Sequence, residues 1–176
     1  MAERDDCAGV FDDLFAAYYS QVFKFVVRRA PLACVEDVLA ETFLVAWRRS
    51  DRLPEDPLPW LLGIARRVLA NQRRGELRRS ELLNRLRSAW SAPAVWEPPA
   101  GLSPELADAV RALSERDREA LLLVAWEGLD ARQAAAVLGC SPAAFRVRLH
   151  RARHRVAAQL GQSAPFPGLG ALEEAL

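Results

Sequence analysis

Arginine is the residue type with the clearest chemical potential in this chain, because it is concentrated at two places. The sequence has 24 basic and 23 acidic side chains, and Lys24 is its only lysine. Residues 60–79 contain six arginines and one acid, Glu76, while residues 142–160 contain five arginines and no acid. A guanidinium group is always charged and binds phosphate or the edge of guanine in bidentate fashion. Two such clusters favour nucleic-acid binding, and the alternative is a pair of solvated helix faces.

Residue types that support catalysis or metal binding are sparse. The three cysteines form no CxxC pair, and both histidines lie on one predicted helix (Cys7, Cys34, Cys140, His150, His154). A zinc site or a disulfide framework is therefore not expected. Asp37 and Glu41 are one helical turn apart, but no other segment supplies a matching pair of carboxylates, and no Gly-rich phosphate loop occurs. The sequence predicts neither an enzyme nor a cofactor.

The elements that carry the arginines are predicted to be helices, and the whole chain to be all-α. Apolar residues recur at helical spacing in 10–29, 35–49 and 60–79, the last extending weakly to 87, and no segment alternates as a strand does. Because residues 52–59 contain three prolines, we expect this segment to be non-helical. Prolines and small residues in 88–103 predict an extended linker between two domains.

Short start and stop signals divide the C-terminal half into four helices. Each helix start is predicted by a capping Ser or Asp that is followed by proline or by a capping-box residue (Ser103, Ser114, Asp130, Ser141). The ends of the last three helices are predicted by glycines (Gly128, Gly139, Gly161). The segment 162–176 is predicted to be a frayed tail.

The sharpest local pattern is the helical pair in 130–160, joined by Gly139-Cys140-Ser141. One stripe of the second helix is apolar and is predicted to face the core (Phe145, Leu149, Ala152, Val156, Leu160). The opposite face is predicted to point outward (Ala144, Val147, Arg148, Arg151, Arg155). A short glycine turn between such helices indicates a helix-turn-helix, whose second helix enters the DNA major groove, rather than a plain helical hairpin.

The arginines of 60–79 are predicted to lie opposite a buried stripe of the same helix. That stripe is formed by four apolar residues (Leu61, Ile64, Ala65, Val68), and the basic face by four arginines with Asn71 on its flank (Arg66, Arg67, Arg73, Arg74). Such a face could follow a phosphate backbone. Trp60 could stack on an unpaired base or pack in the core.

Composition and hydropathy exclude several other classes. The chain is 51% hydrophobic and 27% charged, which excludes a fully disordered or collagen-like protein. No apolar run approaches the length of a membrane span, and the acidic start at residues 1–6 does not resemble a signal peptide. We therefore expect a cytoplasmic protein without membrane insertion.

Four segments together resemble the extracytoplasmic-function (ECF) group of bacterial RNA polymerase sigma factors. Residues 36–48, EDVLAETFLVAWR, resemble the second conserved region, and residues 59–67, PWLLGIARR, resemble the stretch that follows it. Residues 113–119, and then 138–141 together with 146–153, resemble the fourth region. The order and spacing also match, and the resemblance covers about residues 10–160.

The resemblance implies two small helical domains joined by a flexible linker. Residues 1–88 would form a region 2 helical bundle, 89–103 the Pro-rich linker, 104–161 a four-helix region 4 domain with the helix-turn-helix, and 162–176 the tail. The chain would act as a non-catalytic sigma factor that binds core RNA polymerase and directs promoter-specific transcription initiation.

Family roles can be carried onto matching residues of this sequence. The resemblance implies that one set binds core polymerase (Asp37, Glu41, Phe43, Trp47). It implies that a second set captures the non-template strand of the minus-ten element (Asp51, Trp60, Arg66, Arg67, Asn71, Arg73, Arg74). It implies that a third set reads the minus-thirty-five duplex (Ser141, Ala144, Arg146, Val147, Arg148, Arg151, Arg155).

The implied partners are the clamp coiled coil of the polymerase largest subunit, the flap of the second-largest subunit, promoter DNA and an anti-sigma factor. Three departures from the family pattern affect the site: Ala40 stands where glutamine is usual, Ala144 where threonine is common, and Val147 where a small polar residue is usual. We hypothesise that Val147 contacts a thymine methyl group. The alternatives to a sigma factor are a stand-alone helix-turn-helix regulator and a small helical enzyme.

Overall fold

The computed structural model describes residues 2–50, 53–86 and 102–161, and within them the chain forms seven α-helices and no strand. Its contacts divide the chain into two compact units, Met1–Val95 and Trp96–Leu176. The prediction of an all-α protein with two helical domains is confirmed. Asp51, most of the predicted linker 89–103 and the tail 162–176 lie outside the described residues.

The first unit consists of α1 (Ala2–Val27), α2 (Leu32–Trp47) and α3 (Pro57–Leu86), which pack against one another. Each helix contributes one apolar stripe to a shared core, with Val22 and Phe25 from α1, Val38 from α2 and Leu61 from α3 all fully buried. Burying such side chains stabilises each helix by roughly 1.5–3 kcal/mol per residue. The predicted stripe of α3 is buried at all four positions (Leu61, Ile64, Ala65, Val68).

The start of α3 corrects one prediction. We expected 52–59 to be non-helical, but α3 already begins at Pro57 and includes Pro59. The first turn of a helix has N–H groups without intrahelical acceptors, so proline there removes no hydrogen bond, and its fixed φ suits the helix. The same helix continues to Leu86 without a break. Helix α1 likewise begins at Ala2, earlier than the predicted residue 10.

The second unit consists of α4 (Pro104–Arg111), α5 (Glu115–Ala125), α6 (Ala131–Leu138) and α7 (Pro142–Gln159). The four predicted helix starts are confirmed. Ser103, Ser114 and Ser141 each accept a backbone N–H in the first turn of the helix that follows. Asp130 and Gln133 form a reciprocal capping box at the start of α6.

The turn between α6 and α7 positions α7. Gly139 has φ 66° and ψ 40°, a left-handed conformation that is costly for residues with a Cβ atom. The Cys140 N–H donates to the Ala135 carbonyl at 3.0 Å and closes the end of α6. Phe145 then inserts fully buried into the unit, and Ala152 and Val156 continue the same buried stripe. None of the helices in the described ranges is long and apolar enough to cross a membrane.

Candidate nucleic-acid interface

The outward face of α7 carries most of the residues predicted to contact duplex DNA. Because Phe145, Ala152 and Val156 fix the opposite face in the core, Ala144, Arg146 and Arg151 are exposed, and Arg148 is half-buried. Val147 is 50% exposed. The Ser141 hydroxyl accepts the Ala144 N–H at 3.2 Å, so its first role is to cap α7.

Arg155 has a structural partner that the sequence did not reveal. Its Nη1 atom lies 2.6 Å from Asp117 Oδ2 on α5, in an ion pair whose side chains are 58% and 14% exposed, respectively. The pair joins α7 to α5 across the domain. It therefore holds one guanidinium of the predicted DNA-contacting set against the protein itself.

Three of the four arginines on the basic face of α3 are exposed, and two of these form hydrogen bonds within the protein. Arg67, Asn71 and Arg74 are exposed, and Arg74 donates to the Asn71 side-chain oxygen at 2.5 Å. Arg73 donates from Nη2 to the Arg29 carbonyl at 3.0 Å, which ties α3 to the segment just after α1. A cation at a helix C-terminus is favourably placed, because the last carbonyls of the helix carry partial negative charge. Trp60 and Arg66 are half-buried.

On α2, Asp37 and Glu41 are exposed and Trp47 is 52% exposed, as a binding surface requires. Phe43 differs, since it is only 5% exposed. Its ring lies 4.7 Å from the Phe15 ring and 6.0 Å from the Tyr19 ring, between centroids. Phe43 therefore fixes α2 onto α1 and supports the surface from beneath. Phe15 and Tyr19 are themselves exposed, and sequence reasoning counted Phe15 only as part of an apolar stripe.

A cleft of about 670 Å³ lies between α2 and α3. One wall carries Asp37 and Glu41, and the other carries Arg67 and Asn71, with Arg49 also lining the space. The structure thus brings residues predicted for polymerase binding and residues predicted for DNA binding to the same cleft. Among the described residues, no group of three or more His, Cys, Asp or Glu side chains could hold a metal ion.

Comparison with known proteins identifies the family. The family described as Sigma-70, region 4, matches residues 103–156. The RNA polymerase sigma factor CarQ of Myxococcus xanthus is 33% identical over 90% of this chain and 94% of its own length.

Two solved structures are similar in fold. One is the sigma factor RpoE of Bartonella quintana in complex with the anti-sigma factor NepR, at a TM-score of 0.61 and 22% identity over 88% of this chain and 98% of that chain. The other is CnrH in complex with the cytosolic domain of CnrY, at a TM-score of 0.58 and 25% identity over 93% of this chain and 100% of that chain. The fold agrees with these structures, and the similarity to CarQ over nine tenths of the chain, with the region 4 match, shows that the chain belongs to the RNA polymerase sigma factors, within the extracytoplasmic-function group.

Proposed function

We propose that this sigma factor directs initiation by reading the minus-thirty-five element as duplex and capturing the minus-ten element as single strand. The observation that carries the proposal is the outward face of α7, which is exposed, free of acids and anchored from beneath by the fully buried Phe145. A rigid helix with outward arginines is what major-groove reading requires.

On α7, the proposed contacts differ in the part of the DNA that they bind. Arg148 and Arg151 bind guanine edges or phosphates, and Arg146 adds a phosphate contact. Ala144 and Val147 supply apolar contacts close to the start of the helix, the part that approaches base edges in this motif. Ser141 caps the start of α7, and the N–H groups of the first turn that it does not bind face the DNA backbone.

In the first unit, we assign polymerase docking and DNA binding to different helices of the cleft. The α2 side, with Asp37, Glu41 and Trp47, docks on the clamp coiled coil of the polymerase largest subunit. The α3 side, with Arg67, Asn71 and Arg74, follows the phosphates of the non-template strand, and Trp60 lies at its start for stacking. Gripping extruded bases offsets the cost of unstacking them, a few kcal/mol per base.

The same proposal assigns the domains. Residues 1–88 act on the minus-ten element and the clamp, 104–161 act on the minus-thirty-five element and the polymerase flap, and 89–103 connects them. Because a linker alone does not set the distance between two DNA sites, core polymerase supplies their spacing. An anti-sigma factor holds the chain inactive; the comparison structure of RpoE, which contains the anti-sigma factor NepR, supports this by analogy.

Transcription by core polymerase on a pool of genomic DNA tests the proposal directly. We expect a defined set of start sites, preceded by shared minus-ten and minus-thirty-five sequences, only when the chain is added. A set of start sites that does not change when the chain is added would contradict the proposal.

The second candidate is a stand-alone helix-turn-helix regulator, which the compactness of the second unit favours. Such a regulator needs a dimer to match two half-sites. Tight, sequence-specific duplex binding by a dimer of the chain, without polymerase, would support this alternative.

A further inference from the structure

The outer face of α7 carries a pair of residues that the proposed DNA contacts do not include. His150 and His154 are both exposed, and their rings lie 6.5 Å apart between centroids with planes inclined by 27°. They are one helical turn apart, so their side chains project from the same strip of the helix. That strip lies opposite the buried stripe that contains Leu149, Ala152 and Val156.

We infer that His150 and His154 form an exchangeable two-imidazole site for a divalent transition-metal ion such as Ni²⁺, Cu²⁺ or Zn²⁺. Two histidines at positions i and i+4 on one helix face are the arrangement by which helices hold zinc in metalloproteases. Each nitrogen must approach the ion to about 2.1 Å. Both side chains are exposed, so rotation about their side-chain bonds can turn the two rings toward one ion.

The surroundings select the kind of ion. Arg151 and Arg153 lie beside the pair, and α7 contains no acid. Mg²⁺ and Ca²⁺ require oxygen ligands and are held largely by negative charge, so this face does not favour them. Ions that prefer nitrogen ligands form directed bonds to imidazole and tolerate nearby positive charge better.

The number of protein ligands determines whether the ion is permanently bound or exchanges with solution. Structural and catalytic zinc sites use three or four protein ligands, and the sequence accordingly predicted no resident metal. Two imidazoles leave the remaining coordination positions to water, so the ion exchanges with solution.

An ion held there would oppose promoter recognition, and this second step rests on the proposed function. The hydrated ion would stand out from the face of α7 that also carries Val147 and Arg151. That face must approach the base edges within hydrogen-bond distance. Occupation of the site would therefore hinder entry of α7 into the major groove.

Calorimetric titration of the full chain with NiCl₂ tests the site without using DNA. Wild type is compared with His154→Ala and with a matched variant, His154→Ala combined with Ala158→His. The matched variant keeps two exposed histidines on α7 but moves them about 12 Å apart along the helix axis, too far for one ion. Circular dichroism checks that both variants keep their helices.

We expect the wild type to bind Ni²⁺ about tenfold or more tightly than either variant, because the second imidazole binds at high effective concentration. Equal Ni²⁺ affinity in all three proteins would contradict the proposal that His150 and His154 bind one ion together. MgCl₂ should give no heat of binding to any of them.

Transcription with reconstituted polymerase tests the second step separately. Ni²⁺ should reduce transcription from a minus-thirty-five-dependent promoter with wild-type chain, and should reduce it much less with either variant. Equal inhibition of all three proteins would contradict the claim that the bound ion hinders entry of α7 into the major groove. If the chain directs no promoter-specific transcription even without Ni²⁺, the proposed function fails while the calorimetric result still decides the site.

Discussion

Arg155 allows the α7 interface to be tested at the level of a single charge. Its guanidinium is paired with Asp117 at 2.6 Å, whereas Arg151 on the same helix is exposed and has been proposed to contact DNA. We therefore expect Arg155→Ala and Arg151→Ala to weaken promoter binding for different reasons. The first should loosen the packing of α7 on α5, and the second should remove a contact to DNA.

The expected magnitudes follow from the exposure of the ion pair. Arg155 is 58% exposed, so its pair with Asp117 is largely screened by solvent and is worth about 0.2–1 kcal/mol of folding stability. Asp117 is only 14% exposed, and removing Arg155 leaves this carboxylate partly desolvated without its partner. A double-mutant cycle with Asp117→Asn and Arg155→Ala should give a coupling energy of that size, measured by urea unfolding.

The assay that separates the two arginines is the salt dependence of promoter binding by the reconstituted polymerase. Each phosphate contact contributes about 0.9 to the slope of log binding constant against log salt concentration. If Arg151 contacts a phosphate, Arg151→Ala should reduce the slope by about 1, and if it reads a base the variant should lose selectivity at that position. Arg155→Ala should leave both slope and selectivity unchanged. A slope reduced by about 1 in Arg155→Ala would refute the reasoning, because it would place that guanidinium on the DNA.

Three further predictions concern the other surfaces. Asp37→Arg should weaken co-purification with core polymerase without lowering the unfolding midpoint, since Asp37 is exposed on α2; co-purification equal to wild type would contradict the docking assignment. Phe43→Ala should destabilise the first unit by about 3–5 kcal/mol because its ring is buried, whereas Trp47→Ala should change stability little and weaken polymerase binding; similar unfolding curves for both would contradict this division. Val147→Ser should reduce transcription more on a promoter with the contacted thymine than on one with uracil, which lacks the methyl group, and equal losses on both templates would remove that role.

Much of the second unit could be predicted from sequence because its signals are local. Ser103, Asp130 and Ser141 cap helices through residues two or three positions ahead, and Gly139 adopts its left-handed conformation at the end of the helix that it closes. The buried stripe of α7 follows from helical periodicity alone. These features depend on neighbouring residues, so a single sequence contains the information that specifies them.

The features that sequence reasoning missed depend on residues far apart in the chain. The ion pair of Arg155 joins positions 38 residues apart, and the bond from Arg73 to the Arg29 carbonyl joins positions 44 apart. Periodicity likewise identifies Phe15 as apolar but does not reveal that its ring packs on Phe43 at the surface edge of the core. The start of α3 at Pro57 differs for another reason: closely spaced prolines predict a non-helical segment, but Pro57 and Pro59 lie in the first turn of the helix, where proline is tolerated.

The central claim is that the two units recognise one promoter only when polymerase fixes their spacing. Binding of a labelled promoter duplex should be measured with the chain alone and with the chain bound to core polymerase, at the same salt concentration. The account predicts weak, sequence-insensitive binding by the chain alone and tight binding by the complex that is lost when either promoter element is altered. Tight and specific binding by the chain alone, or binding by the complex that ignores both elements, would contradict it.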